Sequence, residues 1–221
     1  MEISIESLLE GATRATGTVA IIDVFRAFTT AAVVLANGAI HITMVGSAEE
    51  ALSLRDSGVG QVCMGEVNGC APPGFDFGNS PFEVSEIDFR GKAIIQRTSA
   101  GTQGILAATQ AQSLFAGSLV TASATARAML AETPHRITLV AMGYNAVVRT
   151  DEDELCALHL RNLLEGRTGD SQAMRQLILA GGEATRPYFH PRDLDIALDV
   201  DRYNFAIRVR TEDGRPVARV A

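Results

Sequence analysis

The chain is poor in several features that would mark common protein classes. Its three cysteines, Cys63, Cys70 and Cys156, are odd in number and form no CxxC pair. A disulfide framework and a zinc knuckle are therefore not expected, and a reducing cytoplasm is. Positive charge is in deficit, with 19 Lys and Arg against 26 Asp and Glu, a formal net charge of −7. That balance argues against a general nucleic-acid or anionic-membrane binder. Lysine is nearly missing: Lys92 stands alone. Any phosphate clamp must then be built from arginine, which suits bidentate contacts. No apolar run is long enough to span a bilayer, because the longest region, Ala31 to Val45, is broken by Asn37, Gly38 and His41. The segment Met1 to Glu6 carries no basic stretch followed by an apolar core, so no signal peptide is expected. There is no Gly-Lys-Ser/Thr ending and no G-x-S-x-G elbow, which sets aside a Walker loop and a hydrolase-type serine triad. His41, His135, His159 and His190 have no ligand spacing, and no repeat, heptad or low-complexity tract is present.

What is present is an alternation of short apolar runs and helical patterns. With 221 residues, 47% of them hydrophobic, the chain can bury a substantial core, as one domain or as two fused halves. Strands are expected at Thr18–Val24, Ile40–Val45, Gln61–Met64, Lys92–Gln96, Ser113–Ala116 and Arg136–Ala141. Helices are expected at Ala27–Asn37, Ala48–Asp56, Thr102–Gln110, Ser123–Glu132, Asp151–Glu165 and Ser171–Ala180. Ser47 with Glu50 three residues on is a capping-box signature. Repeated strand-helix-strand units imply a three-layer α/β/α fold around a mostly parallel, mixed sheet. The last segment differs. Phe205 to Arg210 alternates apolar and polar residues, turns at Asp213-Gly214 and resumes through Val217 to Val220, a strand pair expected at a sheet edge. The irregular passage Gly65 to Asp88 carries Phe75, Phe77 and Phe82 between turn residues and reads as an ordered, functional loop.

The most informative stretch is Ile21-Ile22-Asp23-Val24-Phe25-Arg26-Ala27. An apolar run ends in an acid, an arginine follows three residues later, and then a helix begins. Open α/β sheets bind ligands at the carboxyl ends of their strands, so Asp23 and Arg26 suggest a metal or proton site beside an anion site. The alternative is an Asp that caps the next helix, with Arg26 on its solvated face. Three further groups fall near strand ends: Gly65-Glu66, the block Gly74 to Pro81, and Arg97-Thr98-Ser99-Ala100-Gly101-Thr102. The last reads as an anion cradle of backbone amides and hydroxyls, or as a plain N-cap at Thr98 or Ser99. Asp23, Glu66 and Asp76 together suit Mg2+, which takes oxygen ligands and keeps several waters. The acids Asp151 to Glu154 complement a helix dipole. Asp193, Asp195, Asp199 and Asp201 read as surface, and Cys156 as core.

These residues carry a resemblance. Ile22 to Ala27 with Leu35 to Ala39, then Gly65-Glu66, Gly74-Phe75-Asp76-Phe77-Gly78-Asn79-Ser80-Pro81, Gly91-Lys92, Thr98 to Thr102 and Glu152 to Ala157 appear in order over about two thirds of the chain. The sequence resembles the 2-phosphosulfolactate phosphatases, the ComB-type family. The resemblance implies an α/β fold and an Mg2+-dependent hydrolase that converts 2-phospho-3-sulfolactate to sulfolactate and phosphate on the route to coenzyme M. Many members have Thr-Asn-Gly-Thr where this chain has Ser99 to Thr102, and Asn where it has Thr121.

The resemblance assigns no individual roles. From the residues, Asp23 and Arg26 are the expected catalytic pair. Asp23, Glu66, Asp76 and Asp153 are the candidate metal ligands. Asn79, Ser80, Arg97, Thr98, Ser99, Gly101 and Thr102 are the candidate substrate-binding residues. A binding protein for a phosphorylated or sulfonated metabolite, and a phosphatase for a different small ester, remain open. So does the choice between monomer and homo-oligomer.

Overall fold

A computed structural model of the protein describes residues 1–181 and 189–221. The first half of the chain forms β1 (Glu2–Ser7), α1 (Leu8–Arg14), β2 (Gly17–Ile22), α2 (Ala27–Ala36), β3 (His41–Met44), α3 (Ala48–Asp56) and β4 (Val62–Gly65). There follow β5 (Ala93–Arg97), α4 (Gly101–Ala107), β6 (Ala111–Gly117), α5 (Ala122–Ala131), β7 (Arg136–Ala141) and α6 (Asp151–Leu164). The last elements are α7 (Ser171–Gly181), α8 (Pro191–Ala197), β8 (Ile207–Glu212) and β9 (Arg215–Val220). Each strand and helix named from the sequence is present. The sequence reading missed β1, α1 and α8. Glu2-Ile3-Ser4-Ile5-Glu6 has the two-residue alternation of a strand, and it pairs in parallel with β7 from Glu2↔Arg136 to Ser7↔Ala141.

All nine strands join one sheet in the order β1-β7-β2-β6-β8-β9-β3-β5-β4. The first four are mutually parallel, as are the last three. The three junctions between these groups are antiparallel. An odd number of reversals makes the two parallel halves run in opposite senses. The C-terminal hairpin therefore lies inside the sheet and not at its edge, because it is the piece that closes the seam between the halves. Its alternation matches that place. Ile207, Val209 and Ala218 are buried, while Arg208 and Arg219 face the other way.

Strands covered on both faces divide their side chains between two cores. On β2, Val19 and Ile21 join one cluster while Ala20 and Ile22 join another. On β5, Ile94 and Ile95 divide likewise. The largest cluster combines α2 and α4 with residues of both halves and the hairpin, including Ile21, Ile42, Ile94, Ile207 and Ala218. The helices α5, α6 and α7 pack on the opposite face of the first half, and α3 packs on that of the second. Thus α2 and α4 sit between oppositely directed half-sheets. Phe28 of α2 is fully buried there. Truncating it to alanine would cost about 3–5 kcal/mol.

Register sets the strand ends level. Ile22 is opposite both Gly117 of β6 and Ala141 of β7, so the loop after β2 leaves beside the loops after its two neighbours. Across the seam, Gly65 is opposite Arg97, which does the same for β4 and β5. Gly65 has φ +133°, and a Cβ there would lie 1.8 Å from the Arg97 carbonyl oxygen, so this approach needs glycine. The long passage after β4 is ordered as expected. Gly65 N–H donates to the Phe77 and Gly78 carbonyls and Asp76 N–H to that of Cys63.

Candidate active site

Asp23 follows β2 directly and is buried. Its Oδ1 accepts from Ala27 N–H at 3.0 Å, so it does cap the start of α2. Its Oδ2 accepts from Gly101 N–H at 2.8 Å, which ties it to the start of α4 across the seam. Burial pushes the Asp23 carboxyl up to about 6. The Ala27 amide opposes that rise, the Glu66 carboxylate adds to it, and the Gly101 amide and Arg26 oppose it. The charges of Asp23 and Glu66 thus act on one another, as two acids of one site do.

Glu66, buried just after β4, is held as firmly. Its Oε1 accepts from Ser99 N–H at 2.5 Å, and its Oε2 from Gly69 N–H at 2.6 Å and the Ser99 hydroxyl at 3.0 Å. Backbone amides of the Thr98–Thr102 turn, expected to cradle an external anion, are spent on the protein's own carboxylates. The Thr98 and Thr102 side chains are turned on each other: Thr102 N–H donates to Thr98 Oγ1, and Thr98 N–H to Thr102 Oγ1. They close the helix start and do not line the cleft.

One small cleft, open to solvent, gathers these ends. It is lined by Asp23, Arg26, Glu66, Asn79 and Ser99, all named from the sequence, and also by Phe25, Gly69, Ala100, Gly143, Tyr144, Asn145 and Phe189. Arg26 is buried and not on a solvated helix face. Its guanidinium lies 4.6 Å from the Phe189 ring centroid and donates to Asp193 at 2.9 Å. Asn79, in the loop between β4 and β5, offers a buried Oδ1 with no hydrogen-bond partner among the described residues.

The other candidates lie elsewhere. Asp76 is exposed; its Oδ2 accepts from Cys63 N–H at 2.8 Å and pairs with Arg55, so the structure does not bring it to the acid pair. Asp153 is buried at the start of α6, accepting from Val24 N–H at 2.7 Å and Gly143 N–H at 2.8 Å. It clasps the loops after β2 and β7 without lining the cleft, and its carboxyl is raised well above the usual range. Burial is the main cause, followed by Glu152 and Asp23, against the pull of the two amides. Arg97 points behind the cleft, to the Gly46 and Glu66 carbonyls and the Ser99 hydroxyl. Ser80 is buried and donates to Asp193 at 2.5 Å. Asp193 itself, read as surface, is 1% exposed. Gly143-Tyr144-Asn145 was findable, since it follows the end of β7 as Asp23 follows β2. Phe189 and Asp193 gave no local signal.

Two carboxylates, an amide oxygen and an arginine lining one cleft define an α/β protein with a polar, charge-bearing site near its strand ends. The comparisons agree with that class and narrow it. The family model described as 2-phosphosulpholactate phosphatase matches residues 3–185, and the chain belongs to that family. A Thermoplasma volcanium protein named "Probable 2-phosphosulfolactate phosphatase" is 32% identical over 181 residues, covering 82% of this chain and 84% of its own. A Bacillus subtilis protein with the same name is 31% identical over 174 residues, 78% of this chain and 75% of its own. One from Carboxydothermus hydrogenoformans is 43% identical over 112 residues, 51% and 46% of the respective chains. Among the described residues no helix is long and apolar enough to cross a membrane.

Proposed function

We propose that this protein is a cytoplasmic, Mg2+-dependent phosphatase for a small anionic ester, with 2-phospho-3-sulfolactate as the leading substrate. The observation that carries the reading is the meeting of Asp23, Glu66, Asn79 and Arg26 on one cleft. The relatives' shared name supplies the substrate.

Charge decides whether a cation belongs here. Among the described residues, two carboxylates face the cleft against one guanidinium, which already pairs with Asp193. A phosphate ester approaching that balance would be repelled. No group of three or more His, Cys, Asp or Glu forms a metal cage among the described residues. That fits Mg2+, which is commonly held by one or two carboxylates, waters and a substrate phosphate. Asp23 and Glu66 would hold it, with Asn79 Oδ1, which has no partner among the described residues, as a third hard oxygen. Bound there, the ion would neutralise phosphoryl charge and act as a Lewis acid.

The chain's own residues supply the remainder. Arg26, fixed in place, would bind a phosphoryl oxygen and stabilise the charge that grows during transfer. Both Asp23 oxygens are engaged by backbone amides, which orients the carboxylate, and with Asp23 assigned to the metal we take water as the nucleophile. Phe25 and Phe189 would exclude bulk water from one wall of the cleft.

A binding protein without turnover is the second reading, favoured by Ala100, which brings only a methyl group to the cleft wall. Phosphate release from a panel of small esters, with Mg2+ and with chelator, separates the two. Mg2+-dependent release is expected. Ligand binding without release would establish the second reading, and phosphate trapped on Asp23 would overturn the choice of nucleophile.

A further inference from the structure

The side chain that holds Arg26 comes from a part of the molecule outside the matched residues 3–185. Asp193 of α8 is almost completely buried, and each of its oxygens is engaged. Oδ1 accepts from the Ser80 hydroxyl at 2.5 Å and Phe82 N–H at 3.1 Å. Oδ2 accepts from Arg26 Nη1 at 2.9 Å and His190 N–H at 3.3 Å. A buried carboxylate is costly unless paired and bonded on all sides, and this one is. The same short segment places Phe189 over the guanidinium. The guanidinium is planar and rigid, so fixing one Nη and one face sets the direction of the entire fork.

We propose that Asp193 is a positioning residue: anchored by Ser80 and Phe82, it orients the Arg26 guanidinium toward the cleft and so sets the affinity and turnover of the anionic ligand. The inference rests on the reading of Arg26 as the phosphoryl-binding cation. It makes the Asn79-Ser80-Pro81 block a support for the arginine through Ser80, and it makes the segment at 189–193 part of the site.

The test is a double-mutant cycle on the full chain, with Asp193→Asn, Arg26→Ala and both together. If Asp193 acts only through Arg26, the single Asp193→Asn change lowers kcat/KM by about 10- to 100-fold, and adding it to Arg26→Ala costs no more than about twofold further. Multiplying effects, or an Asp193→Asn variant within about twofold of the parent, would overturn the proposal. The 15N side-chain resonance of Arg26, assigned by its loss in Arg26→Lys, should be sharp in the parent and broadened in Asp193→Asn. An unchanged signal counts against positioning. Should Asp193→Asn fail to fold, Ser80→Ala carries the test, since it removes one anchor and leaves the ion pair. About a threefold to tenfold loss is expected there, and parent-like kinetics refute the inference. If the parent releases no phosphate from any ester, the hydrolase reading fails by itself. Calorimetry with inorganic phosphate then decides: binding weakened at least about tenfold by Asp193→Asn supports positioning, and equal binding, or none to the parent, overturns it.

Discussion

Gly101→Ala isolates the contact on which the acid pair depends. A Cβ at residue 101 would lie 2.9 Å from Asp23 Oδ2, 2.9 Å from Ala27 Cβ and 3.0 Å from Phe28 Cζ. Ala27 and Phe28 are fully buried on α2 and have nowhere to go, so the Asp23 carboxylate must yield. Three magnitudes compete. Alanine in place of glycine in a helix gains up to about 1 kcal/mol. Overpacking a tight core costs about 1–3 kcal/mol. Loosening a hydrogen bond to a charged group costs about 1.5–3 kcal/mol. The loss wins, by about 1.5–5 kcal/mol after the helix gain is subtracted, which lowers the melting temperature by about 3–20 °C for a chain of this size. Activity should fall more than about tenfold, because Asp23 is displaced from the geometry it shares with Glu66. The Gly101 amide is one of the groups that hold the Asp23 carboxyl down. Weakening it should raise the Asp23 carboxyl further above about 6 in the metal-free protein. Melting in chelator and phosphate release in Mg2+ read the two effects separately. A variant that melts within about 1 °C of the parent and releases phosphate at the parent's rate would refute the claim that this turn holds Asp23.

Asp23→Asn and Glu66→Gln should each lower turnover strongly and blunt the response to Mg2+; normal activity with the same metal requirement in either would remove that acid from the site. Arg26→Ala should cost about 2–4 kcal/mol of transition-state stabilisation, a drop of about 30- to 1000-fold in kcat/KM. Asp76→Asn should leave metal response and kcat unchanged, since Asp76 is tied to Arg55 and the Cys63 amide away from the cleft; a changed Mg2+ titration would return it to the site. In chelator, Asp23 should make stability fall as pH rises. Its folded-state value of about 6 exceeds the ordinary 3.8, so its favourable contribution is complete below about 4 and is lost through about 6, on the order of 2–3 kcal/mol. Urea midpoints of the parent and Asp23→Asn at pH 4 and pH 7 check this, and parallel pH dependences would refute it.

Much of the fold was legible because burial on both faces writes itself into continuous apolar runs, as at Val19 to Ile22 and Ile137 to Ala141. Elements with one covered face were harder. In β1, Glu2, Ser4 and Glu6 dilute the apolar signal to Ile3 and Ile5, and a reading tuned to charge passes over the alternation. The hairpin was seen as a hairpin, but its place in the sheet depends on which strands accept its two sides, β6 and β3, far away in sequence. Site acids at strand ends were legible for the same reason as the strands. The exposures of Asp76 and Asp193 were the reverse of those expected, because a carboxylate's surroundings are set by tertiary packing: Asp76 follows a Pro-Pro-Gly turn into solvent, and Asp193 is carried inward by α8.

Asp23, Arg26, Glu66, Asn79 and Ser99, grouped as one site from the sequence, line one cleft although they come from half-sheets that run in opposite directions. Asp23 leaves one half and Glu66 the other, while α2 and α4 share one core with both. The turn from β5 into α4 then touches both acids, through Gly101 N–H to Asp23 and Ser99 N–H to Glu66. Read alone, a Ser/Thr/Gly turn before a helix is a ready anion site, and in chemical terms it is one. The anions it binds are the protein's own. That exchange makes the cleft electronegative where an amide cradle would have made it positive. On the proposed reading, the burden of attracting a phosphate passes to a divalent cation and to Arg26, whose position in turn depends on Asp193.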